Sequence, residues 1–252
     1  MRSYKLINLL LILIISFILY VSPAYAEKTK DINKLLGDHF CPWCDLSGAD
    51  LSGANLKKVD ASYSDLSFVN LNKSNLNEAN LSGSDLSFAN LSFADLGKAN
   101  LGSSNLSNAN LSNASLYNAN LGDTVLVNAN LSNTNCENAK FNGLNSSRLT
   151  GANLKGANLK AANLKGVSLI NADLSSADLS NKVDLSEARL NKAILTNANL
   201  IGVNLKKSHL SEADLKSSDL SYADLSKAVL NYANLTQANL KGANLKDSVL
   251  KN

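Results

Sequence analysis

From Leu46 onward an apolar position returns at every fifth residue. Leucine occupies it at Leu46, Leu51 and Leu56, then from Leu66 through Leu131; Cys136 and Phe141 follow, and the pattern restarts at Leu149–Leu179 and at Leu185–Leu250. These are 41 repeats, 38 of them carrying leucine, the exceptions being Ala61, Cys136 and Phe141. Two residues before each apolar position stands a small side chain (Ala, Ser, Val, Thr or Cys), and the residue between the two is Asp or Asn in 31 repeats.

A period of five suits no ordinary element. In a helix, five residues advance a side chain by about 140° relative to the last, so successive leucines would wander around the cylinder. In a flat strand, successive leucines would land on opposite faces. The chain must therefore turn once per repeat. Strand alternation puts the leucine and the small residue on one side and the Asp or Asn between them on the other, while the following pairs, such as Ser47-Gly48 and Lys155-Gly156, carry turn chemistry. The wall of a solenoid satisfies all of this: Leu and Ala inward, polar residues outward, coils stacked through backbone hydrogen bonds. No proline follows Pro42, in keeping with uninterrupted backbone pairing.

The segments Cys44-Asp45-Leu46-Ser47-Gly48-Ala49-Asp50-Leu51 and Gly151-Ala152-Asn153-Leu154-Lys155-Gly156-Ala157-Asn158-Leu159 resemble the pentapeptide repeat family, with its motif A(D/N)LXX. The resemblance covers residues 44–252. It implies an all-β fold, a right-handed quadrilateral β-helix with four repeats per coil; the four-sided closure comes from the family and not from the period. Four repeats per coil give about ten coils, a rod on the order of 50 Å long at ~4.8 Å per coil. The expected organisation is a signal peptide at 1–26, an N-terminal cap at 27–44 and the β-helix at 45–252, with register seams at 142–148 and 180–184.

Arg2 and Lys5 precede an apolar run from Leu6 to Val21, and Pro23 ends it ahead of Ala24-Tyr25-Ala26. Charged region, apolar region and A-x-A site are the parts of a secretory signal. Cleavage after Ala26 removes two positive charges and no negative one, so the formal net charge falls from +3 to +1. The expected location is the periplasm or the exterior of a bacterium, with no stable membrane insertion after cleavage. In the cap, Ile32, Leu35, Leu36 and Phe40 share one helical face that is expected to cover the first coil.

Candidate chemistry is sparse. Cys41-Pro42-Trp43-Cys44 has dithiol spacing, but no βαβ pattern surrounds it, and a structural disulfide or a pair of packed thiols is the expected role. His39 and His209 pair with no Cys or carboxylate at ligand spacing, and no nucleophile motif or phosphate loop occurs. The expectation is no enzyme, no cofactor and no metal, although Asp45, Asp65 and Asp85 stack in one column. Lys155, Lys160 and Lys165 lie on successive faces, which disfavours nucleic acid as a partner. Asn70, Asn90, Asn110 and Asn130 form a column read as an amide ladder.

Two surfaces stand out. Tyr63, Phe68, Phe88 and Phe93 fall at outward turn positions of neighbouring repeats, either as a partner patch or as rings that brace adjacent coils. The last repeats, Leu235, Leu240, Leu245 and Leu250, are expected to expose core and strand edge; with the dimerisation that the resemblance implies, they suggest a homodimer through the C-terminal coils. The resulting reading is a non-catalytic exported structural and protein-interaction module with an unidentified partner. The alternative is a cell-envelope surface or host-directed binding protein acting through the aromatic patch or the seam loop. Some family members mimic DNA and shield topoisomerases, but that activity needs a cytoplasmic, strongly negative protein, and this chain is expected to be neither.

Overall fold

In a computed structural model of the protein, residues 23–143 and 147–251 are described; the apolar run at 6–21 lies outside them. Among the described residues one α-helix, α1 (Pro23–Asp38), precedes a continuous stack of parallel β-bridges. Among the described residues no helix is long and apolar enough to cross a membrane. Pro23 stands at the start of α1, where a missing N–H costs nothing in the first turn. His39, at φ 54°, turns the chain out of α1.

The bridges fall into four columns, joining a residue to the one 20 further along wherever no seam intervenes, as in Asp45↔Asp65↔Asp85 and Asp50↔Asn70↔Asn90. The stack begins at Phe40↔Asp60, five residues earlier than the repeat pattern marks it. Cys41 therefore sits one coil below Ala61, at an inward leucine position, and is fully buried.

One rule satisfies the backbone of each repeat. Leu46 N–H donates to Asp65 O in the next coil at 2.8 Å, and Gly48 N–H donates to Ser67 O at 2.7 Å. Asp65 N–H returns a bond to Cys44 O at 2.9 Å, and Ala49 N–H closes the turn on Leu46 O at 3.1 Å. The fifth donor, Ser47 N–H, goes to a side chain: Asp45 Oδ1, at 3.0 Å. This is the role of the outward Asp or Asn, an Asx acceptor for the first turn residue. The second turn residue sits at φ near +60° throughout, including non-glycine residues such as Lys58 and Asn108.

Asn does a second job. Its amide donates down the column, so that Asn70 reaches Asp50 Oδ1, Asn90 reaches Asn70 and Asn110 reaches Asn90. The ladder extends through Asn130 to Asn153. An Asp accepts but cannot donate, so Asp forms the foot of a run and never its continuation; Asp178, Asp214 and Asp219 each carry an Asn above them.

Neither seam breaks the stack, and residues 144–146 of the first seam loop lie outside the described residues. Val125 still bridges Arg148 across 23 residues, and Asn163 bridges Asp184 across 21. Ser147 takes the inward small position at the first seam, donating to Leu121 O at 2.6 Å. At the second, Asn181 and Lys182 both adopt positive φ to take up the extra residue. Cys136 and Phe141 fill leucine positions and are fully buried; burial pushes the Cys136 thiol up to about 12.

Candidate interaction surfaces

The aromatic side chains singled out by their spacing all occupy second turn positions, with φ between 56° and 60°. A residue in that conformation at a solenoid corner has nowhere inward to go, and Tyr63, Phe68, Phe88 and Phe93 are each more than half exposed. Phe68 and Phe88 stack with centroids 4.9 Å apart and planes 2° from parallel, as the coil spacing dictates. Tyr63 does not join them. It stacks on Trp43 at 4.6 Å and lies on Gly83 in the next coil, where an added Cβ would meet the Tyr63 ring at 2.6 Å. Among the described residues Phe93 makes no ring contact of this kind. Trp43 precedes Tyr63 by 20 residues, so the same spacing puts it in this column although it falls in the segment expected to be the cap.

The two stacked pairs line opposite corners of one face. Between them runs the column Asp45, Asp65 and Asp85. Each carboxylate accepts the turn N–H two residues on, from Ser47, Ser67 and Ser87. The Ser47 hydroxyl and then its N–H hold the Asp45 carboxyl below the ordinary carboxylate range. The surface is therefore a strip of fixed negative charge walled by aromatic rings.

The helix α1 docks beside this strip. Leu35 is fully buried and Ile32 packs against the core, while the Asp31 carboxylate accepts Asp45 N–H at 3.0 Å and Lys28 Nζ donates to Ser47 Oγ at 3.1 Å. Leu36 and Phe40 do not share the docked face: both are exposed, Phe40 because it lies beyond the helix in an outward slot of the first coil. Cys41 and Cys44 are joined by a disulfide, with Cα atoms 5.6 Å apart. Ser64 ties that loop down, donating to Cys41 O and accepting Cys44 N–H. Both sulfurs are buried, so this is a staple across the first coil. His39 and His209 lie at separate places on the rod and make no shared site.

In the last coil burial falls away. Leu235, Leu240 and Leu245 are only partly buried, and Leu250 is 50% exposed. Their N–H groups, which one coil earlier donate onward, have no acceptor among the described residues.

The family model for pentapeptide repeats matches residues 43–143 and 144–247 in a series of abutting and overlapping copies. This chain belongs to the pentapeptide repeat family. Its pentapeptide-repeat stack is similar to solved structures of the same kind. HetL, a pentapeptide repeat protein involved in heterocyst differentiation regulation from the cyanobacterium Nostoc sp. strain PCC 7120, is 33% identical; the match covers 83% of this chain and 86% of HetL, with a TM-score of 0.30. Full-length QnrB1, a plasmid-mediated fluoroquinolone resistance protein, is 20% identical over 73% of this chain and 92% of its own, with a TM-score of 0.53; at that identity the likeness is one of fold. A pentapeptide repeat protein of the Arabidopsis thaliana thylakoid lumen is 30% identical over 48% of this chain and 68% of its own, with a TM-score of 0.32. No curated protein matches the chain. The family's fold is the right-handed β-helix, and its members are structural and interaction modules in general rather than enzymes.

Proposed function

We propose that this pentapeptide-repeat protein is a four-sided rod of about ten coils, exported through its N-terminal leader, that serves as a non-catalytic protein-interaction module. The observation that carries the reading is the strip of Asp45, Asp65 and Asp85 between the Trp43–Tyr63 and Phe68–Phe88 stacks. A partner segment rich in arginine or lysine suits it, since guanidinium and ammonium groups pair with carboxylates and stack on ring faces. Rigid rings held at corners lose little entropy on binding.

The test is capture from an envelope extract with the mature protein and with a Tyr63→Ser/Phe88→Ser double variant. Serine already occupies this turn position at Ser103 and Ser217, so the variant is expected to keep its melting temperature. Loss of a captured protein in the variant supports the reading; identical profiles overturn it. Cell fractionation tests export separately. The partly exposed leucines of the last coil also support a homodimer joined there: light scattering at tens of micromolar should show a dimer that Leu250→Lys converts to monomer.

A further inference from the structure

The Asx rule breaks down on one face. Ten repeats lack Asp or Asn in the outward slot, and seven of those fall in a single column, which departs from the rule continuously from Val125 to Val249. At its centre the bridges run Arg148↔Ser168↔Arg189. Without an Asx oxygen at 148 and 168, the N–H groups of Thr150 and Ile170 have no acceptor among the described residues. Each is the equivalent of Ser47 N–H, which a side chain satisfies wherever Asp or Asn fills the outward slot before it.

These unpaired donors lie where positive charge collects. Arg148 and Arg189 are the only arginines among the described residues, and both are exposed. The three ion pairs among the described residues, Lys58–Glu78, Lys160–Asp178 and Lys192–Glu212, involve neither of them. Two coils separate them, about 10 Å, a span that two guanidinium groups close from either side. Thr150 Oγ1 and Ser168 Oγ are 3.2 Å apart and share one hydrogen bond, which leaves one hydroxyl hydrogen free. Together with Ser147, Gly166 and Ile170 these residues line a concavity of about 440 Å³. No carboxylate lines it.

We propose that this concavity is a binding site for a phosphate monoester, held between Arg148 and Arg189 over the Ser168 hydroxyl. A dianion with three terminal oxygens matches two charged forks, two backbone N–H groups and a hydroxyl better than a two-oxygen carboxylate does. Ile170 supplies an apolar surface for the organic part of the ester. The site uses the opposite half of the face from the acidic strip, so its failure would leave the protein-interaction reading standing.

The test is isothermal titration calorimetry on the full mature chain with inorganic phosphate and with phenyl phosphate. One saturable site is expected, tighter for phenyl phosphate. Arg148→Gln or Arg189→Gln should each weaken binding by at least about tenfold. Ser168→Asp should abolish binding with no loss of melting temperature, because the new carboxylate repels the ligand while restoring the acceptor for Ile170 N–H. Phosphatidic acid vesicles form a second arm: cosedimentation that inorganic phosphate competes away assigns the monoester to a lipid, and its absence assigns it to a soluble molecule. No saturable binding of either soluble probe, or affinities unchanged in both arginine variants, would overturn the proposal. So would duplex DNA binding more tightly than phenyl phosphate with a salt slope well above about two, the mark of a polyanion surface.

Discussion

Asp45, Asp65, Asp85 and Asn105 stand in one column with Arg148, Ser168, Arg189 and His209, yet only the first group obeys the outward rule. In the lower half each side chain closes the turn beside it, as Asp65 does for Ser67 N–H at 2.9 Å. In the upper half nothing does. The backbone ladder is nevertheless the same in both: Leu46 N–H meets Asp65 O at 2.8 Å, and Leu169 N–H meets Arg189 O at 2.7 Å. The difference teaches that inward leucine and inter-coil hydrogen bonds make the fold, and that the Asx side chain adds local satisfaction which can be given up. The outward slot is thus where a repeat can change its chemistry without changing its course.

The largest effect should come from breaking what the two halves share. Leu106→Arg and Leu190→Arg each bury an unpaired charge in a fully enclosed position, at a cost of several kcal/mol, and neither variant should fold. Asn108→Arg, at an exposed turn position where lysine occurs at Lys58 and Lys98, should melt close to wild type. Equal melting temperatures for Leu106→Arg and Asn108→Arg would end the inward-leucine account.

A smaller effect separates the halves. Asp65→Val takes away the acceptor of Ser67 N–H and should cost roughly 0.5–1.5 kcal/mol, read as a lowered urea midpoint. Arg189→Val, where no such acceptor exists, should leave the midpoint in place. A matching loss in both would show that the Asx bond contributes nothing distinctive.

Smaller again is the signature at single amides. In NMR, Ser67 N–H should show the low temperature coefficient of an internally bonded amide, and Ile170 N–H the high one of a solvated amide. Reversal of that order would mean that the upper half has found another acceptor.

The smallest effect is pH dependence. Because the folded-state carboxyl of Asp45 is held below its ordinary value by Ser47, its contribution is present above the unfolded value of about 3.9 and is lost as pH falls through the lower folded one. Protection of Ser47 N–H should therefore persist at pH 5 and fade below about 4, while Thr150 N–H stays unprotected throughout. Constant protection of Ser47 down to the lowest pH at which the chain stays folded would remove the carboxylate from the explanation.

Much of the architecture could be read from spacing alone. A leucine every fifth residue with a small residue two before it determines which side chains point inward, and residues 20 apart do share a column wherever no seam intervenes. What spacing concealed has physical causes. Arg148 and Arg189 are 41 residues apart, not 40, because the corner at Asn181–Lys182 takes up one residue; only the bridges put them in register. Trp43 was hidden because its repeat begins on cysteine instead of leucine, and nothing in composition says that Cys41 can fill a leucine position once the disulfide is formed. The docked face of α1 was half legible: Ile32 and Leu35 pack, whereas Leu36 stays exposed on the helix and Phe40 lies beyond the helix end at Asp38. The amide ladder was visible as a column of Asn, but its direction, and hence the place of Asp at the foot of each run, needed donor and acceptor positions.

The corner at the first seam has a consequence for how the molecule comes into being. Three surplus residues after Phe141 leave the pairing of Val125 with Arg148 undisturbed, so the misfit is not passed upward. A crystal growing on a screw step behaves the same way: each new layer copies the phase of the one beneath, whatever the length of material fed in. An insertion of length in such a chain is taken up within one coil, and the coils above it keep their register.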